Sequence, residues 1–296
     1  MNMDLLIFNR QKNIIPLRNI FSMKNYIVIF FLLLSLLTSC SDYAKLVKGS
    51  DYDLKWATAK QFYEEGKYVR CTELLEQVMP RFRFTDDAEE MAWIYANCFY
   101  KMKDYYSAVT AFQNFYNTYQ YGPYAEEAYY YIAMCDYTLS PRPELDQEYT
   151  GTAINDFTYF VTKYPTSPKI DDCNAKINEL EEKLAEKSYL SAKLYYDMDK
   201  YKAAIVALTN SINTYSDSKY REEMMYLKLN SLYKYAVNSV PERQQERYQE
   251  TFDEYFSFVE EFPSSDYSRD ARKIYQSSAK FLKIEIKDTE NISDTQ

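Results

Sequence analysis

The sequence predicts an all-α protein, a solenoid of about five helix–turn–helix units carried behind an export signal. Two observations carry that prediction. An eleven-residue frame returns five times, as RFRFTDDAEEM (81–91), TYQYGPYAEEA (118–128), KYPTSPKIDDC (163–173), TYSDSKYREEM (214–224) and EFPSSDYSRDA (261–271). Each copy has an aromatic residue second, mostly an acidic pair near its end, and Met, Ala or Cys last. The copies start 37, 45, 51 and 47 residues apart, a spacing that signals stacked repeats. Between them, apolar residues recur at intervals of three and four, as in helices with one buried face.

The chain ends stand apart from this pattern. From Met23 the sequence reads MKNYIVIFFLLLSLLTSC, with an apolar run from Tyr26 to Leu37 broken only by Ser35. That run is shorter than the roughly 18–20 residues of a spanning helix. Leu37-Thr38-Ser39-Cys40 resembles a bacterial lipobox, in which Cys40 is cleaved free, acylated and becomes the mature N-terminus. A plain signal peptide or a short membrane anchor is the other reading of the same run. The resulting layout is a signal peptide over 1–39 with Met23 as the true start, then a lipidated Cys40 and linker over 40–52. A five-repeat domain follows over 53–283, and a polar, disordered tail over 284–296. Beyond the covalent lipid on Cys40, no cofactor and no metal is expected.

Within the repeat domain the elements follow in order. In repeat one, Lys55–Glu65 is helical by pattern, Gly66-Lys67 breaks it, and Tyr68–Met79 follows with Cys71, Leu74, Leu75 and Val78 on one face. Repeat two runs from Glu89 to Met102, turns at Lys103-Asp104, and continues from Tyr105 to Tyr119 with Ala108, Phe112 and Phe115 inward. Repeat three takes Glu126–Thr138, a connection through Ser140-Pro141-Arg142-Pro143, and a helix carrying Ala153, Phe157 and Phe160. Repeat four pairs Tyr189–Asp197 with Tyr201–Tyr215, and its first helix begins about four turns early, at Asp172. Repeat five pairs Glu222–Val237 with a helix from about Gln244 to Glu261, across a loop over 238–242.

Small residues at Ala59, Ala96, Ala133 and Ala192 let paired helices approach closely; Asn230 is the departure in repeat five. Together with Gly66, Tyr68, Leu75, Tyr105 and Ala108, they resemble the tetratricopeptide repeat, a helix–turn–helix of about 34 residues. The recurring frame is then the joint between pairs. Its aromatic packs back on the finished helix, and its acidic pair lies in the next helix's first turn, where negative charge is favoured.

Composition removes several functions. There is no histidine, hence neither the usual general base nor the commonest metal ligand. The four glycines are isolated, so no loop can cradle a phosphate. The acidic pairs are explained by helix starts, and a non-enzyme is expected. Setting aside the residues before Cys40 leaves 31 basic and 43 acidic side chains, a net charge of −12, which argues against a nucleic-acid partner. Cys71, Cys98, Cys135 and Cys173 could pair in an exported chain. However, Cys98 and Cys135 hold equivalent places on helices roughly 10 Å apart, too far for a bridge. All four read as small apolar core residues.

Aligning the first helices exposes two aromatic rows. One reads Trp56, Trp93, Tyr130, Tyr189, Tyr226; the other, seven residues on, reads Tyr63, Tyr100, Tyr137, Tyr196, Tyr233. Seven residues are two helical turns, so both rows share a side. Between them lie Lys60, Asn97, Met134, Lys193 and Asn230, mostly polar, as on a solvent-open concave wall. Such rings suit an extended apolar-aromatic peptide, with Trp56, Tyr63, Trp93, Tyr100, Tyr130 and Tyr137 as the partner-binding candidates. The alternative is that the same rings pack the repeats together.

Three stretches carry a family resemblance: Tyr121-Gly122-Pro123-Tyr124 followed by Ala125-Glu126-Glu127-Ala128; Asp146 with Ala153–Phe157 and Lys163–Ser167; and Leu184-Ala185-Glu186 with Tyr195-Tyr196 in the long helix. With the lipobox and the interrupted third repeat, the chain resembles the BamD family of outer-membrane assembly lipoproteins from Asp51 to about Ala236. The resemblance implies an outer-membrane, lipid-anchored scaffold facing the periplasm. Its N-terminal repeats would receive C-terminal targeting strands of unfolded outer-membrane proteins, and its C-terminal repeats would dock on the central barrel assembly subunit. Two departures stand out. The joint at Phe82–Asp87 lacks the family's Gly-Pro, and Val206-Ala207 stand where a basic docking contact is expected, so no docking residue is carried over. Envelope repeat lipoproteins of cell division or pilus assembly are the rival reading. A glycan-binding lipoprotein would stack sugars on the same tryptophans, but needs a long non-repeat region.

Overall fold

The computed structural model describes residues 42–285. The expectations for the signal peptide, Cys40 and the tail from 286 therefore lie outside the described residues. Among the described residues all regular structure is helical. A short α1 over 42–48 is followed by α2 (Tyr52–Glu64), α3 (Tyr68–Phe82), α4 (Ala88–Lys101), α5 (Tyr105–Tyr119), α6 (Ala125–Leu139) and α7 (Glu148–Lys163). Then come α8 (Ile170–Asp197), α9 (Tyr201–Thr214), α10 (Arg221–Val237), α11 (Pro241–Glu261) and α12 (Ser268–Leu282). The chain divides into two compact bodies, one ending at Cys98 and one beginning at Phe99. The N-terminal body holds the tetratricopeptide-type pair α2/α3 with α1 and most of α4, and the C-terminal body holds the pairs from α6 on.

The recurring frame is a recurring structure. In every copy the amide of the fifth residue donates to the carbonyl of the second: Thr85 to Phe82, Gly122 to Tyr119, Ser167 to Tyr164, Ser218 to Tyr215 and Ser265 to Phe262. The eighth donates to the fifth, and the eleventh to the seventh, opening the next helix. Three joints carry serine at the fifth place, where its hydroxyl accepts from the amide two residues on, at Lys169, Tyr220 and Tyr267. This side-chain turn replaces amide partners that a helix start leaves free. The second-place ring packs on the helix just completed: Phe115–Tyr119 at 5.3 Å, Phe160–Tyr164 at 5.2 Å and Phe258–Phe262 at 6.0 Å between centroids. The last place is sealed in all five copies, at Met91, Ala128, Cys173, Met224 and Ala271.

The turns inside repeats one, two and four share another geometry. Gly66, Lys103 and Asp199 are left-handed, with φ of 73°, 61° and 57°. The following amides reach back to Phe62, Phe99 and Tyr195, the six-to-one bond that closes a helix C-terminus. Only repeat one uses the glycine that this conformation favours.

Helix limits differ from the sequence expectation at several ends, α2 for instance beginning at Tyr52 rather than Lys55. Helix α3 runs through Pro80 to Phe82 rather than stopping at Met79, because a proline in the last turn forfeits a single backbone bond. Helix α11 starts at Pro241, since the fixed φ of proline suits a first helical turn, and the loop before it shrinks accordingly. The fifth joint leads into α12, whose Ala271, Ile274 and Ala279 are buried while Arg272, Lys273, Gln276 and Lys280 face solvent. A polar outer face is what a terminal helix of a repeat array requires.

Two clusters anchor the C-terminal body. Phe157, Phe160, Leu180 and Cys173 surround Ala133 and Ala153 between α6, α7 and α8. Leu208, Met224, Leu229, Phe258 and Ile274 gather around Ala192 and Ala204 between α8 and α12. The small residues at Ala59, Ala96, Ala133 and Ala192 are fully buried, as close helix approach demands. The four cysteines from Cys71 on are free and buried. A hydrogen bond with Cys71, together with burial, pushes the Cys98 thiol well above the ordinary thiol range.

Candidate functional site

In the N-terminal body the rows place Trp56, Tyr63 and Trp93. Trp56 is only 5% exposed, with the Lys60 ammonium 4.5 Å from its ring centroid. Lys60 in turn lies 3.8 Å from Glu90, so one face of the indole is covered by a cation that an acidic helix start holds. Tyr63 and Trp93 are half-buried. Tyr63 meets Tyr68 edge-on at 5.9 Å. Asn97, expected on a solvent-open wall, is 4% exposed and donates to the Trp93 carbonyl at 2.9 Å. The strip between the rows is therefore partly closed here, because a short amide can satisfy itself on its own helix.

In the C-terminal body Tyr100, Tyr130 and Tyr137 come together through intervening rings. Tyr100 lies 4.7 Å from Tyr131, which is 6.0 Å from Tyr130. Tyr130 meets Phe160 edge-on at 5.8 Å, and Tyr137 meets Phe157 at 6.3 Å. Their hydroxyls are engaged: Tyr130 donates to Asp172 and Tyr137 to Glu179, both at 2.7 Å. Both acceptors lie on α8, so the two tyrosines tie α6 to the next repeat's first helix. Burial pushes the Tyr100 and Tyr137 phenols up to about 12. These rings are hydrogen-bond donors at any physiological pH.

In repeats one, two and four the second row has an equivalent partner. Tyr63 meets Tyr68, Tyr100 meets Tyr105, and Tyr196 meets Tyr201, at 5.9, 5.7 and 6.1 Å and all edge-on. Each partner is the first residue of the second helix, so the pair staples a repeat across its own turn. The first row is covered from the joint. Tyr220 stacks on Tyr189 at 4.6 Å and 7°, and Tyr267 stacks on Tyr226 at 4.3 Å and 11°. In the third joint the same frame position is Lys169, whose ammonium sits 5.2 Å over Tyr130. Sequence reasoning missed this lid, although its signal was available as the seventh place of the frame.

A different surface lies open in the C-terminal body. Tyr195, Tyr201, Ala203, Val206 and Tyr235 line a cleft of about 1100 Å³ at the turn end of α8, α9 and α10. Val206 is 57% exposed at its edge, and Asp199, Lys200 and Lys202 supply the charge. The cleft includes Val206 and Ala207. Its chemistry is apolar and aromatic with a charged rim, the composition of a protein-docking patch. Among the described residues no three acidic or cysteine side chains gather as a metal ion would need, and no helix is long and apolar enough to cross a membrane.

Comparison with known proteins identifies the family. A protein of Aquifex aeolicus bearing the name outer membrane protein assembly factor BamD is 27% identical over 257 residues, covering 80% of this chain and 78% of its own. The outer membrane protein assembly factor BamD of Vibrio cholerae is 22% identical over 225 residues, 72% of this chain and 92% of its own. Among solved structures, the TPR2AB domain of yeast Sti1 overlays 78% of this chain and 99% of its own, at 14% identity and a TM-score of 0.36, too loosely to add to the description. The family model for YfiO, outer membrane lipoprotein, matches residues 53–223 and 189–283. The chain belongs to the YfiO outer membrane lipoprotein family.

Proposed function

We propose that this protein is a lipid-anchored, periplasm-facing scaffold of outer-membrane protein assembly. Cys40 carries the lipid, and the repeats hold partners rather than catalyse a reaction. One observation carries the reading: the match to the outer membrane lipoprotein family spans the repeats from 53 to 283, and the relatives are named as assembly factors. The central barrel assembly subunit docks on the cleft around Val206, where an aromatic and aliphatic floor takes over from a basic contact. Pull-down of a C-terminally tagged chain from native membranes in mild detergent should recover a large barrel with repeated periplasmic domains in near-equal amount. Val206→Asp, which places a charge at the cleft's exposed edge, should remove that barrel and leave the fold intact. Recovery of division or pilus components instead would overturn the function and keep the fold.

The N-terminal repeats receive the C-terminal strand of an unfolded outer-membrane protein. The aromatic content of this face, with Trp93 and Tyr63 both partly solvent-accessible, supports this, since large amphipathic rings suit an aromatic end group. Trp56 serves beneath them as a buried support. Tryptophan fluorescence should respond to a peptide ending in Phe and not to oligosaccharides, and Trp93→Ala should abolish the response. Equal binding by that variant would reduce the rows to packing, and a response to sugars alone would favour a glycan-binding lipoprotein.

A further inference from the structure

The stretch after the anchor was expected to be a linker, yet its described part is fastened down. Helix α1 (42–48) begins two residues after Cys40. The Tyr43 hydroxyl donates to Glu73 on α3, its ring lies 5.8 Å from Phe62 on α2, and the Arg70 guanidinium covers it at 4.9 Å. At the other end of α1, the Val47 carbonyl accepts from the Lys55 ammonium at 3.0 Å. Lys55 is 2% exposed and is held further by Gln77 at 2.6 Å, so a buried cation is spent on fixing this segment. Gly49 closes the turn: a side chain there would meet the Lys45 and Leu46 carbonyls at 3.2 and 3.3 Å. Asp51 then caps α2, accepting from the Leu54 amide at 2.9 Å.

We propose that α1 is a clasp that converts the lipid anchor into a rigid mount, holding the first repeat against lipid head groups. This rests on Cys40 carrying the lipid. Two extended residues span at most about 7 Å, so Asp42, Tyr43 and the Arg70–Glu73 side of α3 lie within one short step of the acylated cysteine. Charge is not the agent. Lys45 pairs with Asp42 at 3.3 Å and Lys67 with Glu65 at 2.5 Å, so this side presents acids and bases together. Proximity to the bilayer is therefore insensitive to salt, unlike a basic patch on anionic lipid.

The chain contains two tryptophans, Trp56 and Trp93, both in the N-terminal body. The test uses full-length lipidated protein in nanodiscs containing a dansyl-labelled phospholipid, reading energy transfer from tryptophan to the head-group dye. Transfer should be strong and unchanged between low and high salt. A twelve-residue Gly/Ser insertion between Ser41 and Asp42 adds about 20 Å of root-mean-square reach and should cut transfer by about twofold or more. Tyr43→Ala/Lys55→Met, which releases α1 without touching the anchor, should move transfer most of the way to that of the insertion. Transfer unaffected by the insertion, or lowered by the insertion but not by the double substitution, overturns the clasp. Mass spectrometry of the N-terminal peptide separates the other failure: no acyl group on Cys40 removes the anchor itself.

Discussion

Asp136, on α6, is 2% exposed and its Oδ2 has no hydrogen-bond partner. The titratable groups that face it are Asp156 and Tyr149 on α7, and Tyr129 and Cys135 on its own helix. All are neutral or anionic near pH 7. Burial, then the hydrogen bond and charge of Asp156, push the Asp136 carboxyl up to about 7. Burial raises Asp156 as well, against hydrogen bonds from Asp136 and from the Tyr129 hydroxyl at 3.0 Å. The pair thus holds one proton between two carboxyls. A carboxyl raised on folding binds a proton more tightly in the native state, so its stabilisation is complete below the unfolded value near 4 and is lost as pH rises through about 7. At about 1.4 kcal/mol per pKa unit, with the proton shared, the loss is on the order of 2–4 kcal/mol. Asp136→Asn copies the protonated form at every pH. In urea unfolding followed by circular dichroism, the stability of wild type relative to Asp136→Asn should fall by that amount between pH 5 and 8. A difference that stays flat would show that no proton is shared; one that rises with pH would mean an ionised, well-paired Asp136.

The remaining predictions concern the turns, the lids and the thiols. Lys103→Gly relieves a left-handed non-glycine residue at φ 61° and should raise stability by about 0.5–1 kcal/mol, after the entropy that glycine loses on folding. Tyr220→Ala uncovers Tyr189 and should cost about 1–2 kcal/mol. Tyr121→Ala, at a ring 92% exposed, should stay within about 0.5 kcal/mol, which separates joint rings that pack from those that do not. The four cysteines after Cys40 are free and buried, so a thiol reagent should find none of them in the native protein and all of them in denaturant.

What could be read in the sequence was whatever a single helix or joint decides by itself. The frame was legible because five short segments solve the same local problem with backbone bonds, and such solutions leave a pattern in residue type. The left-handed turns were legible as breaks, though only Gly66 advertised its conformation. The partners of the aromatic rows were not, because they depend on residues far along the chain whose chemistry varies. Lys169 and Tyr267 cover equivalent rings by unlike means, an ammonium over one face and a parallel ring over the other. A tyrosine at a helical spacing of seven looks the same whether its open face meets solvent, a partner or the next joint.

That ambiguity reshapes the candidate site. A repeat cannot bury its own inner face alone and leans on its neighbour for the rest. In the C-terminal body the neighbour has already claimed Tyr130, Tyr189 and Tyr226 through their lids, and Tyr137 through Glu179. Rings committed in this way gain little from a ligand, since binding would have to displace contacts of similar worth. The surface with most to gain is the one the repeat pattern does not explain. Val206, 57% exposed, borders a cleft floored by Tyr195, Tyr201 and Tyr235. Under the proposed docking, an apolar contact at this place calls for an apolar counterpart on whatever docks there.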